Sequence, residues 1–243
     1  MEKIILIPAY EPDENLITLV EKLSENKMYI IVVNDGSSEK YNEIFYKIKD
    51  KAYIISYKEN KGKGYALKRG MNFIKENFKE DYIIVTMDSD GQHTVEDAIK
   101  LCNYIQRNPE ELVLGKRVRN EKTPLRSRIG NEITKVIYQI STGVNVYDTQ
   151  TGLRAFSNKL IDTMLNIKGD RYEYEMNVLL ELPQKNIKIS EVEIQTIYIN
   201  NNSGSHFNTI KDSARIYKQI IKFSFSSLVS FIVDYALYSI LMI

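Results

Sequence analysis

The chain has 243 residues, 43% of them hydrophobic and 27% charged, with a formal net charge of +1. So small a charge excludes a general nucleic-acid binder, whose affinity rests on neutralising phosphates with a cationic surface. The single cysteine, Cys102, excludes an internal disulfide framework and fits a reducing compartment.

Residues 1–10 enter an apolar run at once, without the pattern of a cleaved signal peptide, so none is expected. Residues 3–7 read as a strand, and Leu16, Leu19, Val20 and Leu23 recur at helical spacing after it. Residues 29–33 read as a second strand, Tyr41, Ile44, Phe45 and Ile48 as a helix face, and residues 52–57 as a third strand. A helix over 65–78 then leads to 82–87, the most continuous buried-strand signal in the chain. Continuous β-branched runs separated by helices predict an α/β fold with a parallel sheet covered on both faces. Such sheets bind ligands beyond the carboxyl ends of their strands. Polar clusters at 8–11, 34–37 and 88–93 each follow a predicted strand.

The second half is less regular. Residues 124–142 predict a long helix with a basic start, 153–156 a short strand, 172–182 a helix and 187–196 an alternating, half-exposed strand. No internal repeat or low-complexity linker divides this region, so one domain over 1–205 is expected. Beyond it, Phe207, Ile210, Ala214, Tyr217 and Ile221 share one helical face, with Lys211, Arg215, Lys218 and Lys222 beside it. That pattern predicts an interfacial amphipathic helix over 206–222. Residues 223–243 carry one charge, Asp234, and at about 1.5 Å per residue are long enough to cross a bilayer core of about 30 Å. The alternative is a buried C-terminal core helix, since serines dilute the run. Basic residues on its N-terminal side place residues 1–222 in the cytoplasm by the positive-inside rule.

Asp88-Ser89-Asp90-Gly91-Gln92-His93 sets two carboxylates two residues apart on an irregular segment. Mg²⁺ or Mn²⁺ takes carboxylate and phosphate oxygens together, which makes this a candidate metal and diphosphate site, against the alternative of a plain acidic turn. Asp35, in Val33-Asn34-Asp35-Gly36-Ser37-Ser38, can accept from the N–H of a uracil or guanine. A helix N-cap by Ser37 or Ser38 is compatible with that. Asn60-Lys61-Gly62-Lys63-Gly64 places two cations and two glycines before a helix, where they could meet phosphates; it does not match the P-loop pattern.

In order and spacing, Ile7-Pro8-Ala9-Tyr10-Glu11-Pro12, the Asp35 segment, residues 60–70 and residues 87–93 resemble the nucleotide-binding half of glycosyltransferase family 2. Gly115-Lys116-Arg117, residues 125–131, residues 148–156 and Arg171-Tyr172-Glu173-Tyr174-Glu175 resemble the branch with dolichyl-phosphate mannose synthases and bacterial polyprenyl-phosphate glucosyltransferases. The resemblance implies a GT-A fold and a metal-dependent, inverting transfer of a hexose, glucose above all, from a nucleotide-sugar such as UDP-glucose to polyprenyl phosphate. It implies that Pro8, Ala9, Tyr10, Glu11 and Asp35 hold base and ribose, and that Asp88, Asp90 and Gln92 hold metal and diphosphate. Arg117 with Arg126 or Arg128 would engage phosphates. Ser205 and His206 stand where the family usually has a Ser-Lys phosphate contact, and a neutral His offers one donor where Lys offers a charge.

An ionised phosphate acceptor needs positioning and charge compensation more than a base. Lys116, Arg117, Arg119, Lys122, Arg126 and Arg128 could compensate that charge, or form a solvated surface. Asp148 and Glu175 could serve as a base or bind sugar hydroxyls, of which hydroxyl binding is favoured, and His93 could ligate the metal or, as the more modest expectation, support the metal loop by hydrogen bonding. The expected place is the cell membrane, with a flippase-like membrane domain as partner or continuation of residues 223–243; a homo-oligomer is left open. Two alternatives stand: a family 2 enzyme with a soluble acceptor, and a silent membrane adaptor that binds nucleotide-sugar.

Overall fold

The computed structural model describes residues 1–117 and 142–195, with Lys135, Tyr138, Gln139, Lys218, Tyr235, Tyr238 and Ser239. In chain order the elements are β1 (Glu2–Ala9), α1 (Asn15–Ser24), β2 (Tyr29–Asp35), α2 (Asn42–Ile48), β3 (Tyr53–Tyr57), α3 (Lys63–Asn77) and β4 (Tyr82–Thr86). There follow α4 (Val95–Arg107), β5 (Leu112–Arg117), β6 (Arg154–Ser157), α5 (Ile161–Asn166), α6 (Glu173–Gln184) and β7 (Ile189–Ile194). Everything up to β4 agrees with the predicted alternation. Helix α4 and strand β5 were not predicted, although α4 carries its own signals: the Thr94 hydroxyl caps Asp97 N–H, and Ala98, Leu101, Cys102 and Ile105 form one buried face.

The seven strands form one sheet in the order β3-β2-β1-β4-β6-β5-β7. Pairs β1–β2, β2–β3, β1–β4 and β5–β7 are parallel, and β6 runs antiparallel to both neighbours. The pleat sends alternate side chains to opposite faces. Ile4, Leu6, Ile31 and Val33 pack under α3, α5 and α6, whereas Ile5, Ile7, Val32 and Val85 pack under α1, α2 and α4. Both faces are covered, so the central strands read as unbroken apolar runs instead of alternating ones.

From β1 the chain builds β2 and β3 on one side and then returns to place β4 on the other. The order therefore reverses between β1 and β4, and their carboxyl ends border a crevice. The Met87 amide donates to the Leu6 carbonyl at 3.0 Å and extends this pairing to the rim. Because β6 is antiparallel, its beginning at Arg154 lies at the same rim as the end of β4, with Thr86 paired to Arg154.

The predicted helix over 124–142 lies mostly outside the described residues, as do Arg119, Lys122, Arg126, Arg128, Ser205, His206 and nearly all of 206–243. Among the described residues no helix is long and apolar enough to cross a membrane.

Candidate active site

Asp88 and Asp90 follow β4 into the crevice. Asp88 Oδ1 lies 2.7 Å from Lys63 Nζ, and the same ammonium lies 2.8 Å from Glu175 Oε2. Lys63 opens α3 and Glu175 sits in the first turn of α6, so one half-buried ion triad ties both helices to the acidic loop. Burial would raise the Asp88 carboxyl, but neighbouring charge, Lys63 foremost, holds it below the usual carboxylate range. Burial likewise opposes the Lys63 charge and is outweighed by Asp88 and Glu175, so the amine stays protonated. Asp90 has no such partner among the described residues: burial and then the Asp88 charge push it up to about 6, against a hydrogen bond from Gln92 N–H at 3.0 Å. His93 is buried, its Nδ1 lacks a hydrogen-bond partner among the described residues, and burial lowers its pKa, which keeps the ring neutral.

A second ion pair stands at the end of β5. Arg117 donates to Asp148 from Nε at 2.6 Å and from Nη2 at 3.1 Å, a bidentate fork. The amides of Tyr147 and Asp148 both donate to Glu191 Oε1, at 2.8 and 3.0 Å. Glu191 on β7 therefore sets the backbone that aims Asp148 at Arg117. The alternation over 187–196 does not single it out, because alternation gives the side of the sheet and not the partner. Glu191→Ala is expected to lower kcat about tenfold, whereas Glu191→Gln, which keeps the acceptor oxygen, stays within about threefold. Steady-state kinetics on both variants checks this.

Asp148 and Glu175, read as a base or as hydroxyl binders with the second favoured, each stand against a cation, Arg117 and Lys63. Lys63, expected at phosphates, lies between two carboxylates. Arg154, also missed in the sequence, is 3% exposed, donates to the Thr151 and Glu175 carbonyls at 3.0 and 2.8 Å, and lies 3.7 Å from Glu175 Oε1.

Between the β1 loop and α2 runs a groove of about 570 Å³ lined by Tyr10, Glu11, Lys40, Tyr41, Ile44 and Asp90, among others. Pro8 and Ala9 end β1 behind it, with Ala9 buried. Glu11 adopts φ +46°, and its amide donates to Ser37 Oγ at 2.8 Å. Ser37 thus braces the β1 loop, and Ser38 makes no side-chain cap to the short turn after it, so neither serine is the helix cap expected. Asp35, expected at the base, is 3% exposed and fully engaged with the chain.

Asp88, Asp90 and Gln92 fit a divalent cation in charge. Lys63 divides one positive charge between Asp88 and Glu175, which leaves Asp90 uncompensated beside Asp88. Among the described residues no group of three or more His, Cys, Asp or Glu side chains converges as a metal site. A cation here would complete its oxygen shell with ligand phosphate, as Mg²⁺ commonly does.

The family described as glycosyl transferase family 2 matches residues 4–168 of this chain. The chain is a family 2 glycosyltransferase. It is similar to the UDP-N-acetylglucosamine–dolichyl-phosphate N-acetylglucosaminyltransferase of Methanococcus voltae, 31% identical over 215 residues, covering 80% of this chain and 85% of that one. It is also similar to a dolichyl-phosphate β-glucosyltransferase of Trichomonas vaginalis, 24% identical, covering 79% of this chain and 64% of the relative. Among solved structures, glucosyl-3-phosphoglycerate synthase of Mycobacterium tuberculosis in complex with Mn²⁺, UDP-glucose and phosphoglyceric acid superposes with a TM-score of 0.70. That likeness covers 92% of this chain and 79% of the other at 15% identity, and it establishes the mixed, mostly parallel GT-A fold of the glycosyltransferase.

Proposed function

We propose that this glycosyltransferase moves a hexose from a UDP-sugar to a polyprenyl phosphate at the cytoplasmic face of a membrane, with residues 206–243 as its tether. The observation that carries the reading is the groove that ends on Asp90. A nucleoside laid between Tyr10 and Tyr41 would direct its diphosphate at the Asp88–Asp90 loop. Mg²⁺ or Mn²⁺ held by Asp88, Asp90 and Gln92 would supply charge neutralisation for the departing diphosphate.

The acceptor class draws support from the two dolichyl-phosphate relatives and from the state of the carboxylates. A hydroxyl acceptor needs a free base in reach. Asp148 and Glu175 are each engaged with a cation and act as supports for Arg117 and Lys63. A phosphate acceptor is already ionised and needs the positive charge these pairs hold in place. On this reading Arg117 orients the acceptor phosphate and Lys63 holds Asp88 ionised. Glucose was the expected sugar; the 31% identical relative uses N-acetylglucosamine, so both donors belong in the first assay.

The test is transfer of label from UDP-glucose or UDP-N-acetylglucosamine into organic-extractable lipid, with Mn²⁺ or Mg²⁺ and undecaprenyl or dolichyl phosphate. Labelled lipid that disappears with EDTA supports the reading; labelled water-soluble product alone would replace it with a soluble acceptor.

Metal binding is expected to follow the raised carboxyl of Asp90. A carboxyl titrating near about 6 keeps its proton below that pH, and the proton competes with the cation. The Mn²⁺ concentration that half-saturates the thermal shift should therefore rise as pH falls below 6, by up to about tenfold per unit, and flatten above 7. A curve without pH dependence between 5 and 7 would contradict this.

A further inference from the structure

Arg154 opens β6 at the rim of the crevice and is 3% exposed, a buried charge that no step proposed above uses. Its Nε donates to the Thr151 carbonyl at 3.0 Å and its Nη1 to the Glu175 carbonyl at 2.8 Å. One guanidinium thus joins the turn before β6 to the first turn of α6. We infer that Arg154 is a positioning residue for the transfer, which holds Glu175 in place and so keeps the Lys63 ammonium on Asp88.

Both segments that Arg154 joins bear on the ion triad. The turn before β6 is anchored: the Thr86 hydroxyl donates to the Gly152 carbonyl, and the Gly115 amide to the Leu153 carbonyl, each at 2.9 Å. Gly152 also stands directly against Asp88, where a Cβ would lie 2.2 Å from Oδ2. On the other side, Glu175 turns its Oε2 to Lys63 Nζ at 2.8 Å. Its Oε1 is buried without a hydrogen bond among the described residues, and the cation facing it is Arg154, with Nε at 3.7 Å. The first turns of α3 and α6 meet at Gly64, where a Cβ would stand 2.5 Å from Tyr174 Cβ. A shift at the start of α6 therefore reaches Lys63.

Electrostatics point the same way. Lys63 lies between two acids, and a shared ammonium is drawn toward the acid with less compensation. Arg154 compensates Glu175 and leaves Lys63 to Asp88. A lysine at 154 would keep the charge, but its single ammonium lacks the planar fork that spans two carbonyls. The inference rests on the reading of the Asp88–Asp90 loop as the metal and diphosphate site.

The test compares the full chain with Arg154→Met and Arg154→Lys. Lysines are acetylated with an N-hydroxysuccinimide ester in EDTA and mapped by mass spectrometry, and steady-state kinetics follow with metal. Acetylation of Lys63 is expected to accelerate about tenfold in Arg154→Met and about threefold in Arg154→Lys, with Lys100 on α4 as the unchanged control. The kcat is expected to fall about thirtyfold and about tenfold, with the donor KM within about twofold. In a Lys63→Met background, Arg154→Lys should cost less than about twofold further, because the residue it acts through is gone. Arg154→Lys carries the test if Arg154→Met fails to fold. Lys63 acetylated at the parent rate, equal acceleration at Lys63 and Lys100, an unchanged kcat, or the full loss in the Lys63→Met background would overturn the inference. If the parent transfers sugar to no lipid, metal-dependent hydrolysis of UDP-glucose supplies kcat, and if that is absent too the acetylation decides alone. Failure of the lipid reading and failure of this inference are thus separate results.

Discussion

Replacing Asp90 by alanine is expected to lower kcat by about 10³-fold or more, with a thermal midpoint at pH 7.5 that is unchanged or higher without metal. The two halves follow from one observation. Asp90 stands half-buried beside Asp88 with its carboxyl raised to about 6, so at pH 7.5 its charge is held at a cost to the folded state. The sign is that of a carboxyl raised on folding: the native state binds more protons between the unfolded value and about 6, and stability falls as pH rises through that window. Alanine removes the repulsion and, with it, the ligand for which the charge is kept. A factor of 10³ corresponds to about 4 kcal/mol, in the range of a metal's contribution to charge stabilisation. Kinetics in Mn²⁺ together with a thermal melt in EDTA read both halves. Activity above about a tenth of the parent would remove Asp90 from the metal loop as proposed.

Gly152→Ala is expected to cost about 10²-fold in kcat while the protein remains folded. A Cβ at this position would stand 2.2 Å from Asp88 Oδ2 and 2.6 Å from Asp88 Cγ. The Gly152 backbone cannot retreat freely, because its carbonyl accepts from the buried Thr86 hydroxyl at 2.9 Å. The Asp88 side chain must therefore turn away and break its contact with Lys63, which leaves a cation and two acids mismatched in a half-buried site. The expected fall in thermal midpoint is a few degrees, the range for mild overpacking in a domain this size. Kinetics with a melt again decides: kcat within about twofold of the parent would mean that Asp88 tolerates the shift.

Much of this site was legible in the sequence. The acidic loop announces itself through residue type, carboxylate spacing and a buried strand just before it, and the structure puts Asp88 and Asp90 at the β4 end of the crevice. Asp35, Lys63, Asp148 and Glu175 were singled out as well, as ligand-facing residues; the structure adds the protein groups that each of them meets, which the sequence did not give. Arg154 and Glu191 were passed over because a lone charge in a strand reads as a solvated face until the opposite side chain is known. Helix α4 shows a different kind of miss, since its cap and apolar face are local signals present in the residues themselves.

What the sequence determined by itself was the family, the alternation of strands and helices up to β4, and the rim at which chemistry gathers. Those features depend on residues close together in the chain: a period of two or 3.6, a turn residue, a motif with fixed spacing. Only the tertiary structure decided that Lys63 would sit between Asp88 and Glu175, that Asp148 would grip Arg117, and that four donors would close around Asp35. Those partners stand on different strands and helices, and their meeting depends on the sheet order β3-β2-β1-β4-β6-β5-β7, with β6 reversed. A charge finds its counter-ion through that order, because the desolvation of a buried ion is offset only by a partner held within about 3 to 4 Å.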